Sequence, residues 1–214
     1  MIFYASALSS YSAKVRLVLC VKGVTFEERP PPNGYRSPEY RAIVPMGTLP
    51  ALQIGDFVLS ESEAINEYLE EIFPEPAMLP RDPQLRARLR FLSRFHDLYL
   101  EPKVRALFPH ARSAARDHAQ VAALRQDIER HIDQLSQWTR PQPYLLTSFI
   151  SLADCGPLVT LQLARELLAA CSQPIKLSGK FQDWMETAWR DPAVEQALAP
   201  WRAATRAWLT QSTA

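Results

Sequence analysis

The sequence predicts an α/β domain followed by an all-helical one, and three observations carry that reading. Hydrophobic periodicity changes repeatedly over the first part of the chain, as alternating strands and helices require. Beyond residue 84 the apolar spacing is helical almost throughout. Between the two, Pro74, Pro76, Pro80 and Pro83 fall within a few residues, a density that neither a helix nor a central strand tolerates. The expected division is therefore residues 1–75, a linker over 76–83, and residues 84–214.

Residues 2–5 form a short apolar run and Ser9, Ser10 and Ser12 follow as helix-capping residues. Val15, Val18 and Leu19 share one helical face, and Gly23 stands where a left-handed residue ends that helix. Residues 24–29 alternate as a strand does, giving a β-α-β unit with parallel strands. Ser37 and Pro38 open a short helix over residues 37–43. The runs 51–54 and 57–59 flank Gly55-Asp56, a hairpin signal. Ser60 and Glu63 have capping-box spacing, and Ile65, Tyr68, Leu69 and Ile72 continue as an amphipathic helix. The order is β-α-β-α-β-β-α.

In the second part, Asp82 caps a helix with Pro83 at its first position, and Leu85, Leu89, Leu92, Phe95 and Tyr99 line one face. Val121, Leu124, Ile128, Ile132, Leu135 and Trp138 form a second stripe. A third helix begins near Ser151, and Phe181, Trp184, Met185 and Ala188 mark a fourth.

Composition excludes several classes of function. A formal net charge of +1 favours neither nucleic acid nor an anionic membrane. No uncharged run reaches membrane-spanning length. Cys20, Cys155 and Cys171 form no C-x-x-C pair, and the four histidines lack ligand spacing, so no metal is expected and the cytoplasm is the default setting.

Two local features point toward a ligand. In the stretch Pro45-Met46-Gly47-Thr48-Leu49-Pro50, a proline directly before a strand suits a cis peptide that turns the backbone of Leu49 outward, where an extended peptide can pair with it; a trans proline that merely starts the strand is the plain alternative. The helix opening at Glu61-Ser62 offers free N–H groups to a carboxylate, although ordinary capping uses the same geometry.

Together with Ser9-x-x-Ser12-x-Lys14-Val15-Arg16, these stretches resemble the three glutathione-binding segments of cytosolic glutathione transferases. Ser151-Leu152-Ala153-Asp154 is similar to that family's N-capping motif, with Ile150 and Cys155 at the hydrophobic-staple positions, and residues 184–194 resemble its late helical segment. The resemblance covers nearly the whole chain and implies a thioredoxin-like first domain. It also implies glutathione as co-substrate, a hydrophobic electrophile as second substrate, no prosthetic group and a homodimer.

Residue by residue, the resemblance implies that Ser62 holds the γ-glutamyl carboxylate, Glu61 lies near the α-amine, and Leu49, set by Pro50, pairs with the cysteinyl unit. Thr48 stands where the family often has lysine for the glycyl end. Ser9 matches the hydroxyl that donates to the thiolate in Ser-type members, with Tyr4, Ser10 and Ser12 as rivals. Tyr11, Phe108 and His110 are the electrophile-site candidates, Phe108 and Pro109 being equally readable as a helix end. The Ser9-Ser10 pair leaves a zeta-like isomerase as a minority reading, since Tyr11 stands where that class has cysteine. A non-catalytic binding protein on the same scaffold is the third.

Overall fold

The computed structural model describes residues 1–211. Contacts divide the chain into two compact units: residues 1–78 with 192–204, and residues 79–191 with the segment from 205 onward. Residues 192–204 belong to α10 (Pro192–Thr210) and group with the first unit, a grouping the sequence division into two continuous stretches did not contain.

The first unit is built on a four-stranded sheet in the order β2-β1-β3-β4. β1 (Ile2–Tyr4) runs parallel to β2 (Glu27–Arg29) and antiparallel to β3 (Ala51–Ile54), which pairs antiparallel with β4 (Phe57–Ser60). β2 is only three residues long, all of them exposed, and the strand signal over 24–29 forms ladder bonds at its end alone. Side chains alternate across the sheet. Tyr4 and Ala51 pack with Tyr40 and Val44 on one side. Their neighbours Phe3 and Leu52, fully buried, take the other.

α1 (Ser10–Val21) is capped by Ser9, whose hydroxyl accepts from the Ser12 N–H at 3.1 Å, and Gly23 follows with φ +62. α2 (Pro38–Ile43) is capped by Ser37, which accepts from Tyr40 N–H at 3.0 Å. α3 (Ser62–Ile72) departs from the sequence reading. Its N-cap is Glu61, with no side-chain cap hydrogen bond, so the Ser60–Glu63 box does not form. Glu63 turns instead to Lys14 on α1, 2.6 Å away. Ile65 and Leu69 are fully buried, while Ile72 is exposed.

The second unit contains α4 (Pro83–Phe95), which continues through a π-helical turn (His96–Leu100) into α5 (Glu101–Arg105). There follow α6 (Phe108–Ala111), α7 (His118–Trp138), α8 (Leu152–Ala170) and α9 (Gly179–Trp189). The π turn rotates the buried face: after Leu89 and Leu92 it passes to His96, Leu100 and Val104. Tyr99, read as part of the apolar stripe, is therefore 51% exposed, and Trp138, at the last position of α7, is 56% exposed. Phe108 and Pro109 open α6 rather than closing the helix before them.

α8 begins with a capping box. Asp154 Oδ2 accepts from the N–H of Ser151 at 2.9 Å and from its hydroxyl at 2.5 Å, while Oδ1 accepts from Leu145 N–H at 3.0 Å and Trp184 Nε1 at 2.9 Å. Burial pushes this carboxyl above the usual carboxylate range, against the pull of those donors.

Gly156, one turn further on, passes directly over His96. A Cβ at Gly156 would lie 2.5 Å from His96 Nδ1, and the ring is already held by Asp97 at 2.9 Å and Thr160 at 2.7 Å. Gly156→Ala is therefore expected to lower unfolding stability by about 2–3 kcal/mol, read as a shift of the urea midpoint. An unchanged midpoint would contradict this packing.

Candidate functional site

Strand register sets three strand ends of the first unit level with one another. Tyr4 pairs with Ala51 on β3, and Ala51 pairs with Ser60 on β4. The exit of β1, the entry to β3 and the exit of β4 are thus level at one end of the sheet. From that end the chain continues into the Ser9 cap of α1, comes in through residues 45–50, and leaves into Glu61-Ser62.

The Leu49–Pro50 peptide is cis. The loop before it is fixed from two sides. The Tyr40 hydroxyl donates to the Thr48 carbonyl at 2.8 Å, and burial raises the Tyr40 pKa far above its ordinary value, keeping that proton in place. Gly47 has φ +64, and a Cβ there would lie 3.1 Å from the Arg36 Cα and 3.2 Å from Arg41 Cγ. Thr48 has its hydroxyl oxygen buried without a hydrogen-bond partner.

At the start of α3, Ser62 is 6% exposed and occupies the first helical position. Glu61 is exposed and has φ 74, ψ 115, a conformation that costs a non-glycine residue on the order of 1–3 kcal/mol. The N-cap side chain makes no hydrogen bond to the first amides of α3.

The possible donors near α1 differ in what else they do. Ser9 is half-buried and accepts from Ser12 N–H; a hydroxyl that accepts still has its proton to give. Ser12 is fully buried and accepts from Ser6 N–H at 3.4 Å, holding the β1–α1 loop. Ser10 is 4% exposed. Tyr4 is equally buried, and its hydroxyl donates to Gln53 Oε1 at 3.0 Å, within the cluster on the α2 side of the sheet.

A cleft of about 580 Å³ adjoins this end, lined among others by Ser6, Ala7, Arg29, Tyr35 and Leu49. The sequence reading placed Arg29 only as the last residue of the strand over 24–29. Parallel pairing sets Arg29 level with Tyr4, and so beside the β1–α1 loop; its guanidinium is paired with Glu27 at 2.6 Å. The electrophile candidates are divided. Tyr11 lies half-buried on α1 in the first unit. Phe108 and His110 lie on α6 in the second, where Phe108 packs on Trp208 with ring centroids 5.0 Å apart. Among the described residues no cluster of metal-ligating side chains forms, and no helix is long and apolar enough to cross a membrane.

Comparison with known proteins bears on the family and the fold. The family model for the glutathione S-transferase N-terminal domain matches residues 3–77. A bacterial maleyl pyruvate isomerase, a glutathione S-transferase of the zeta class, superposes with a TM-score of 0.78 at 26% identity, covering 92% of this chain and 96% of its own. This chain belongs to the glutathione S-transferase family.

Two curated relatives widen the picture of this glutathione S-transferase family member. A stringent starvation protein A homolog from Coxiella burnetii is 31% identical over 157 residues, 72% of this chain and 71% of its own length. The maleylacetoacetate isomerase of Rattus norvegicus is 40% identical over 97 residues, 43% of this chain. That alignment spans only 45% of the rat protein.

Proposed function

We propose that this chain is a glutathione transferase in which the Ser9 hydroxyl donates to the glutathione thiolate and activates it for attack on a hydrophobic electrophile. The observation that supports the reading is the register Tyr4–Ala51–Ser60, which sets the exit of β1, the entry to β3 and the exit of β4 level at one end of the sheet, the strand ends from which the chain leads to Ser9, Leu49 and Ser62.

In this reading glutathione lies extended across that end. Its γ-glutamyl carboxylate meets Ser62 and the amides of α3, and its α-amine meets Glu61. The cysteinyl backbone pairs with Leu49, placed by Pro50. Because the Thr48 hydroxyl is buried, the glycyl carboxylate is assigned to Arg29, the cation of the adjoining cleft. A free thiol has a pKa of about 8.5 and is mostly protonated near neutrality. A hydrogen bond from Ser9 and the dipole of α1 both favour the anion. Tyr11, Phe108 and His110 complete the proposal as contacts of the electrophile.

A homodimer is part of the proposal. It is supported by a band of rings on the second unit, Phe91, Phe95, Tyr99 and Trp138, joined by centroid distances of 6.2, 5.3 and 5.0 Å and with three members exposed by 41–56%. Such a contiguous exposed patch commonly marks an interface.

The isomerase relatives favour a second reading, in which the same thiolate adds reversibly to a maleyl-type acid and returns it as the trans isomer. The test is retention on immobilised glutathione combined with turnover of an aryl halide and of a maleyl-type substrate. Retention with aryl-halide turnover is expected, and turnover of the maleyl substrate alone would shift the function to isomerisation. Neither retention nor turnover would leave the non-catalytic binding protein.

A further inference from the structure

Lys14 is a cation that the site as described does not use, yet it is 1% exposed within the first unit. A buried ammonium needs compensation, and its Nζ lies 2.6 Å from Glu63 Oε2 on a side chain that is itself 14% exposed. Glu63 is the second residue of α3, immediately after Ser62. The opening of α3 therefore carries carboxylates at both 61 and 63, one on each side of the residue assigned to the γ-glutamyl carboxylate.

That composition is a poor anion site on its own. A helix N-terminus offers the equivalent of about half a positive charge, which a full negative charge at the second position cancels. Asn66, one turn further along α3, is fully buried with neither amide atom hydrogen-bonded to a protein group, so it does not quench Glu63. Lys14 does. Glu61 is exposed and lies outside the Lys14–Glu63 pair.

We propose that Lys14 is a positioning residue for carboxylate recognition: by neutralising Glu63 and tying α1 to α3, it keeps the α3 N-terminus attractive to the γ-glutamyl carboxylate while Glu61 stays available to the neighbouring ammonium. The pair thus sorts the two charges of the γ-glutamyl group. This rests on the assignment of Ser62 to that carboxylate.

The experiment is calorimetric titration with glutathione and with γ-aminobutyryl-cysteinyl-glycine, which lacks only the α-carboxylate. The proteins are wild type, Lys14→Met, Lys14→Arg and the double variant Lys14→Met/Glu63→Gln. Lys14→Met is expected to weaken glutathione about tenfold or more while changing the analogue by less than about twofold. Lys14→Arg and the double variant should recover most of the loss, the first by restoring the charge and the second by removing the need for it. Should Lys14→Met not fold, the double variant, which buries no unpaired charge, still has to bind glutathione within about threefold of wild type.

Equal weakening of both ligands, or a folded double variant that binds glutathione poorly, overturns the role of Lys14. A wild type that binds neither ligand overturns the assignment of the site itself.

Discussion

Ser9→Ala is expected to lower kcat/KM for conjugation by roughly a hundred- to a thousandfold while glutathione affinity moves by less than about threefold. The split follows from the geometry. In the proposed site the charge that develops on sulfur is met by the Ser9 hydroxyl, whereas the bulk of the tripeptide is assigned to Leu49, Glu61 and Ser62. Ser9 also caps α1, so the substitution should cost about 1 kcal/mol of stability as well. Ser9→Asp separates the two roles: it retains the cap but presents a negative charge to the thiolate, and should be at least as inactive as alanine. Tyr4→Phe is the control. It removes the 3.0 Å bond to Gln53 and should leave turnover close to wild type. Loss of turnover in Tyr4→Phe with retention in Ser9→Ala would transfer the role to Tyr4.

Asp154→Ala is expected to have the largest effect on stability, about 3–5 kcal/mol, or roughly 10 °C in Tm. Two backbone N–H groups, one hydroxyl and one indole N–H converge on this carboxylate, and all of them lose their acceptor together in a site with no solvent exposure. Asp154→Asn keeps one acceptor oxygen but sets an NH2 group against the Ser151 amide, so it should fall between wild type and alanine. Thermal unfolding of the three proteins checks the order. An Asp154→Ala protein as stable as wild type would mean that these four bonds contribute nothing to the second unit.

What the sequence made legible was mostly local. Ser9, Ser37 and Asp82 cap helices with a partner three residues away, and Gly23 and Gly55 take positive φ where a turn needs it. What stayed hidden depended on distant partners. Glu63 had the spacing of a capping box, but its energy comes from a buried lysine on another helix, which no local pattern encodes. Arg29 reads as an exposed strand end until parallel pairing sets it beside the β1–α1 loop. The π turn at His96–Leu100 has no sequence signature in the apolar stripe, and a single inserted residue turned Tyr99 out of it. In the candidate site, Leu49, Pro50, Glu61 and Ser62 were legible as motifs. The burial of the Thr48 hydroxyl was not, because it depends on how the loop folds around Gly47 and Tyr40.

The proposed chemistry depends on Ser9 holding the glutathione thiol as a thiolate. It is tested most directly by following the ultraviolet absorbance of thiolate against pH for glutathione bound to wild type and to Ser9→Ala. A bound-thiol pKa of roughly 6–7 is expected in wild type, returning to about 8.5 in Ser9→Ala. A pKa near 8.5 in the wild-type complex, or the same depressed value in both proteins, would contradict it.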